Sequence, residues 1–438
     1  MPARCFEVKS DWLLDQARRL DAAAYAEGGL AARDRIKAGP WHWCALGELA
    51  TVYLPPRFTR RYVRDPFRGV PFLSSSDMLL ADLSGLALLS KRAIDLDALT
   101  GVPGSTLVSR SGTIGRTAYW REEMGGMAVS EHVIHVRPRR SRILPGYLFA
   151  FLTSVPAQAM IRQHTYGSVV QHIEPHHLTD LPVPLPEVAE QRRIHELVER
   201  AAAARTEASR LVDQASGYFD SLAGSFRYAH EHALAAGIVR RSELRQTRLD
   251  AFTHTGWAAE ARALLGDPLA SLAEVSRPGI IRRLFAERGT PFVSGIDVFQ
   301  LRPEARSRLR RDEAVGSGAV IEAGQILVQR SGQRYGLLGR PAYVGKRLDG
   351  FAASDHLIHA GSAGPLFSFL RSEGGRRQLV GQSYGTSIPT INPGSVASLK
   401  VPPLPLDLAT NANRALELRE QADADEERAI REVEAWLS

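Results

Sequence analysis

The chain repeats itself, and a chain that uses the same words twice is built to fold the same small domain twice. Pro71-Phe72-Leu73-Ser74-Ser75-Ser76-Asp77 is answered by Pro291-Phe292-Val293-Ser294-Gly295-Ile296-Asp297. Leu107-Val108-Ser109-Arg110-Ser111-Gly112 is answered by Leu327-Val328-Gln329-Arg330-Ser331-Gly332. Ser130-Glu131-His132-Val133-Ile134-His135 returns as Ser354-Asp355-His356-Leu357-Ile358-His359, and Tyr166-Gly167-Ser168 as Tyr384-Gly385-Thr386. Leu181-Pro182-Val183-Pro184 returns as Leu399-Lys400-Val401-Pro402. These offsets are all close to 220 residues and the order is kept, which coincidence does not produce. Two weaker matches extend the repeat: Ala45–Leu49 beside Pro268–Leu272, and Arg19-Leu20-Asp21-Ala22 beside Arg248-Leu249-Asp250-Ala251.

Each copy mixes helix and strand. Short β-type runs, Ser105–Val108 and Gln325–Gln329, are bounded by glycine turns. A helix follows in each, Pro145–Ser154 and Pro365–Ser372, and then a Pro-rich exit, Leu181–Pro186 and Val401–Pro405, that fixes the chain direction. After the first exit, Glu187 to about Phe226 forms a helical run. Ile194, Leu197, Ala201, Ala204, Ala208, Leu211, Ala215, Tyr218 and Leu222 step alternately by three and four, the spacing of a coiled-coil seam. After the second exit, Asp407–Leu437 carries Leu408, Ala412, Ala415, Ala422, Ala429, Val433 and Trp436 on one stripe, interrupted by Arg419 and Glu426. The pattern predicts an α+β chain of two tandem α/β domains related by pseudo-two-fold symmetry, separated by two long antiparallel coiled-coil helices. The expected boundaries are 41–186 and 241–405 for the domains, 187–240 for the central helix and 406–438 for the last. Residues 1–40 are expected to complete the second repeat in a cyclic arrangement that brings the termini together.

Composition narrows the function. At 44% hydrophobic and 24% charged, the 438 residues suit a globular protein with sizeable cores. No apolar run reaches the ~18 residues of a membrane span, and Glu7, Lys9, Asp11 and Asp15 interrupt any signal peptide. Cys5 and Cys44 are too few for a disulfide framework or a four-thiolate metal site, so a cytoplasmic protein is expected. The net charge is +7. Arginines crowd three segments: Arg57, Arg60, Arg61, Arg64 and Arg68; Arg137, Arg139, Arg140 and Arg142; Arg302, Arg306, Arg308, Arg310 and Arg311. A guanidinium fork matches phosphates and base edges, so nucleic acid is a candidate acidic partner; solvated loops are the bland alternative.

Enzymatic readings are weak. Gly381-Gln382-Ser383-Tyr384-Gly385 spells a nucleophile elbow, but copy one has Gln163-His164-Thr165 there, and no strand-turn-helix context is evident. Gly339–Gly345-Lys346-Arg347 is too long for a P-loop and lacks the hydroxyl that would hold magnesium. His172, His176 and His177 are answered by Thr390, Gly394 and Ser395, which argues against a metal. His132 and His356, each beside an acid, read as satisfied structural groups. With no glycine-rich cofactor loop and no Asn-Pro-Pro-aromatic motif, the chain is expected to hold no cofactor and to catalyse nothing itself.

The Arg-Ser-Gly-x-x-Gly turn (Arg110–Gly115), the Ser-Glu-His strand (130–132), the Tyr-Gly-Ser segment, the Leu-Pro-x-Pro exit and the long helices occur together, in order and twice. In this the chain resembles the specificity (S) subunits of Type I DNA restriction–modification systems over roughly residues 20–438. The resemblance implies that each repeat is a target-recognition domain reading one half of a bipartite, gapped sequence, so that the expected partner is double-stranded DNA. It implies that the helices set the spacing and dock two methyltransferase (M) subunits, which carry S-adenosylmethionine. A motor-nuclease (R) subunit joins the restriction complex, and the S subunit is not catalytic. The second turn departs from the pattern, since Arg330–Gly336 is one residue longer than the first.

On this reading the first domain offers Arg57, Arg60, Arg61, Arg110, Ser111, Arg116, Tyr166, Ser168, Gln171 and His172 to DNA. The second offers Arg282, Arg283, Arg330, Ser331, Arg334, Tyr384, Thr386 and Ser387. Ile194, Leu197, Leu211, Leu222, Leu408, Val433 and Trp436 are the candidates for partner docking. The rival reading is a non-catalytic scaffold of a defence complex that keeps the fold without reading sequence.

Overall fold

The computed structural model describes residues 8–15, 25, 28–165, 172–222, 251–262, 264–334, 336–385 and 387–437. The chain forms two compact units, Met1–Thr206 with Gln421–Ser438, and Glu207–Glu420. The weak match Arg19–Ala22 with Arg248–Ala251 falls almost wholly outside the described residues.

Among the described residues, unit 1 holds ten strands: β1 (Trp43–Ala45), β2 (Ala50–Tyr53), β3 (Tyr62–Val63), β4 (Gly69–Leu73), β5 (Leu88–Ser90), β6 (Thr106–Ser109), β7 (Thr117–Tyr119), β8 (Ala128–Val129), β9 (Val133–Pro138) and β10 (Pro182–Pro184). They form an antiparallel sheet ordered β2-β9-β6-β7, a sheet ordered β3-β5-β4-β8 and the pair β1-β10. Unit 2 holds β11 (Asp267–Pro268), β12 (Val275–Ser276), β13 (Phe285–Val293), β14 (Ser307–Leu309), β15 (Gln325–Gln329), β16 (Pro341–Tyr343), β17 (Ala352–Ala353), β18 (Leu357–Ser362) and β19 (Lys400–Val401). Their order is β12-β18-β15-β16, β14-β13-β17 and β11-β19.

The duplication reaches the level of register. Leu107 faces His135 and Val108 faces Ile134; Leu327 faces His359 and Val328 faces Ile358. The parallel pair Phe72–Ala128 and Leu73–Val129 is repeated as Phe292–Ala352 and Val293–Ala353. Even the weak match holds: Ala45 pairs with Pro182 as Pro268 pairs with Lys400. A register slip of one residue would turn every core side chain outward, so the repeated words preserve the cores themselves. The copies differ where the words differ, and unit 1 adds β3 to the second sheet.

The helices are matched too. In unit 1, Pro145–Thr153 is apolar nearly all round and buried from Pro145 to Leu152. Its Gly146 amide donates to His195 Nδ1 at 3.1 Å, and a Cβ at Gly146 would lie 2.9 Å from the His195 backbone. In unit 2, the amide of Gly364, first residue of Gly364–Arg371, donates to Asn413 Oδ1 at 2.8 Å. A Cβ there would lie 2.2 Å from the Ala412 carbonyl. Each exit helix therefore returns to the start of its own core helix, and only glycine permits so close an approach.

The central helix, Val188–Leu222, and the closing helix, Leu406–Leu437, each give residues to both units. In unit 1 they run antiparallel: Arg193 meets Glu432 at 3.1 Å, Arg200 meets Asp425 at 3.1 Å and Arg205 meets Asp423 at 2.7 Å. Arg205 also donates to Glu426 at 2.5 Å, and both side chains are buried, at 6% and 1% exposure. Glu426 is thus no flaw in the stripe but half of a buried ion pair. Arg419, the other apparent interruption, lies over the Phe367 ring at 5.0 Å. Toward Leu222 the seam drifts, with Phe219 buried and Leu222 exposed, because a 3.6-residue turn outruns a strict heptad.

One boundary differs from expectation. Gly29–Ala38 belongs to unit 1 and packs on Val155–Gln163, with Gly29 close against Ala159, so the described part of residues 1–40 does not complete the second repeat. Unit 2 has its own counterpart, Gly256–Arg262 packed on Glu373–Val380.

Two expectations follow from buried charge. Glu426→Ala leaves Arg205 buried with one partner fewer and should cost about 3–5 kcal/mol, whereas Arg205→Met with Glu426→Leu should cost far less. Denaturant midpoints of the full chain check this; equal losses would mean the pair is not desolvated. His135 sits on β9 with neither ring nitrogen hydrogen-bonded, and burial pushes it down to about 4. It is therefore neutral when folded; its stabilising neutrality is complete above the free value near 6.5 and is lost as pH falls toward 4. Wild type should lose on the order of 2 kcal/mol more than His135→Leu between pH 7 and pH 4.5, read from pH-dependent unfolding. Parallel curves would reject the assignment.

Candidate nucleic-acid interface

In each unit the strand β6 or β15 ends in Arg-Ser-Gly, and the turn is pinned on both sides. Arg110 N donates to His132 O at 3.0 Å and Arg110 O accepts from Ile173 N at 3.1 Å. Arg330 repeats both bonds, with His356 O and Ile391 N, each at 2.8 Å. Ser111 Oγ lies 3.4 Å from His132 Nδ1, and Ser331 Oγ lies 3.3 Å from His356 Nδ1. The turn closes when Gly115 N reaches Ser109 O at 2.9 Å, and in unit 2 when Gly339 N reaches Gln329 O at 2.9 Å. The true counterpart of Gly115 is therefore Gly339, not Gly336. The second turn is four residues longer than the first rather than one, and both closing glycines have positive φ.

The acid of the Ser-acid-His motif faces an arginine from a segment outside the repeated words. Arg60 donates to Glu131 at 2.8 Å and to Ser130 Oγ at 3.3 Å, and lies over the Phe72 ring at 5.1 Å. Arg283 stands 3.9 Å from Asp355. Burial alone would raise the Glu131 carboxyl, but the hydrogen bond and charge of Arg60 outweigh it and hold Glu131 below the usual carboxylate range.

The remaining expected contacts divide by exposure. Arg57, Arg61, Arg282, Tyr384 and Ser387 are exposed and can meet a ligand. Arg116 is buried, at 8% exposure. Arg110 is committed to Glu174, and Arg334 donates to Ser383 Oγ at 3.1 Å and lies over Phe252 at 3.7 Å. Those two arginines brace the turns rather than project from them. His172 forms a β-bridge to Ser111. Tyr166, Ser168, Gln171 and Thr386 lie outside the described residues. Sequence reasoning missed Glu131 and Asp355, whose signal was present: an acid kept in both copies beside a histidine.

Of the docking candidates, Ile194, Leu197, Leu211 and Val433 are buried in the cores of their own units and present nothing to a partner. Leu222 is exposed, Leu408 is half-buried, and Trp436 packs edge-on against Trp41 with centroids 5.6 Å apart. Ser383, of the elbow spelling, is fully buried beneath Arg334 and cannot meet a substrate. Among the described residues, no helix is long and apolar enough to cross a membrane, and no three His, Cys, Asp or Glu side chains are grouped to hold a metal.

No family model matches the chain, and no curated protein matches it. Among solved structures it aligns with the S subunit of a type I restriction-modification system from M. genitalium. That alignment has 13% identity and a TM-score of 0.33, over 91% of this chain and 95% of that one. It aligns with the HsdS subunit from Thermoanaerobacter tengcongensis at 16% identity and a TM-score of 0.29, over 91% and 96%. A third, from work on complex assembly and conformational transition of the type I R-M system, gives 15% identity and a TM-score of 0.29, over 91% and 96%. At such scores the chemistry has to be read from the chain's own duplicated geometry. Over nine tenths of its length, the chain is similar to S subunits of type I restriction-modification systems.

Proposed function

We propose that the chain is the DNA-specificity subunit of a Type I restriction–modification complex and reads a bipartite, gapped target. The observation that carries this is the pairing of one conserved frame with two divergent arginine-bearing segments. The sheet β2-β9-β6-β7 and its counterpart β12-β18-β15-β16 share order and register, yet the arginine that meets the motif acid comes from Phe58-Thr59-Arg60-Arg61 in one unit and from Ile281-Arg282-Arg283-Leu284 in the other. Two copies of one frame with different reading edges suit two unlike half-sites. Phosphate contacts from exposed arginines give affinity and salt dependence, and base-edge contacts give sequence. The long helices form a coiled-coil spacer that fixes the gap. They dock two methyltransferase subunits through surfaces other than their buried seam, and S-adenosylmethionine is held by those subunits. A motor-nuclease subunit joins for cleavage, and the complex acts in the cytoplasm.

Methylation-motif mapping of a host expressing this chain with its methyltransferase, with and without the chain, tests the reading. The expected result is a gapped two-part motif that vanishes when the chain is removed. A methylation pattern independent of the chain would reject sequence reading and leave the scaffold.

A further inference from the structure

We propose that Glu131 and Asp355 are positioning residues, each carboxylate aiming one arginine, Arg60 or Arg283, at a guanine in the half-site read by its unit. This rests on the DNA-reading proposal and adds to it the residues that make the reading specific.

The first support is repetition. Both acids follow a serine and precede a histidine. That histidine is tied on one side to the Arg-Ser-Gly turn, through Ser111 at 3.4 Å or Ser331 at 3.3 Å. On the other side its amide is held by the motif serine, at 3.1 Å from Ser130 Oγ and 3.3 Å from Ser354 Oγ. The acid is therefore mounted on a frame fixed at two points. The arginine it faces comes from a segment with no repeated words and a different local course: Arg60 lies just before β3 and Arg283 just before β13. Two unlike chain paths deliver a guanidinium to the same carboxylate position.

The second support is electrostatic. An ion pair this exposed contributes little to folding, with Arg60 34% and Arg283 54% exposed. A carboxylate on a face meant for phosphate also weakens general DNA affinity. A group that is nearly neutral for stability and unfavourable for non-specific binding, yet present in both copies, needs a directional task. Holding a planar fork is such a task, because the guanidinium must meet the O6 and N7 atoms of guanine edge-on. Glu131 takes one edge of Arg60 while the Phe72 ring covers a face, which limits the fork's rotation.

The third support is Arg283 itself. Its φ is 57°, in the left-handed region where glycine sits without strain and a long side chain does not. The chain keeps an arginine where the backbone favours glycine, so its side chain is in use.

The test uses the full chain with its methyltransferase, in wild-type form and as Glu131→Gln, Asp355→Asn and Glu131→Asp, with motif mapping and with binding to the mapped target and to random-sequence duplex. Glu131→Gln should make one G·C position degenerate in one half-site only, and Asp355→Asn one position in the other half. Each should lower the ratio of specific to random binding roughly tenfold or more, while random binding does not fall. Glu131→Asp should restore the motif, since unit 2 already uses an aspartate. Unchanged motifs in both variants would overturn the assignment, as would a joint loss of specific and random binding with a lowered unfolding midpoint, which marks a structural role. A wild-type complex with no gapped motif would overturn the DNA-reading proposal and this one with it.

Discussion

In each unit the helix leaving the domain returns to the first turn of the domain's own buried helix. The contact is a glycine amide donating to a side chain, Gly146 to His195 in one unit and Gly364 to Asn413 in the other. A helix start carries unpaired amides, and here one of them is satisfied by the exit helix rather than by a local cap. The acceptors differ, imidazole and amide, but the task is the same. Because glycine lets the two backbones nearly touch, the long helix becomes a wall of the domain core. The rows Ile194–Leu197–Val198 and Ala415–Leu416 then pack into the cores around Phe149 and Phe369.

That arrangement determines what the rest of each long helix can offer. A helix whose apolar stripe is consumed internally has only its polar faces for a partner. It also explains how a charged residue can sit on the stripe. Arg205 is inside, but Glu426 and Asp423 meet it from the closing helix, so the desolvation of three charges is offset within one network. A buried network of this kind contributes little net stability compared with apolar packing, and it penalises a shifted register severely. In two alanine-rich helices, whose small side chains tolerate sliding, it supplies the register that the stripe alone leaves loose.

Much of this was legible in the sequence because the repeat acts as its own comparison. The matched words fall on strands and on the turns that join them, where alternation and glycine placement are set by local physics, so the mixture of helix and strand could be read directly. What could not be read were properties of contacts made across long separations. Arg116 and Arg60 look alike in sequence, yet one is buried and the other lies on the surface against Glu131. Glu426 looked like an interruption because its partner lies more than two hundred residues away. Gly29–Ala38 was assigned to the second repeat because a weak four-residue match outweighed a feature visible only in space, the fit of Gly29 against Ala159.

The arginines show how little bulk charge says about a site. A net charge of +7 suggests a uniformly basic surface, but the structure sorts the guanidinium groups by task. Arg110 and Arg334 brace turns, Arg205 locks helix register, and Arg139 and Arg140 donate to backbone carbonyls. Arg57, Arg61 and Arg282 are exposed and lie on the segments that bring Arg60 and Arg283 to the motif acids. There the two chain paths differ while the register of the sheets beside them is shared, so exposed charge can differ between the units without a change in either core.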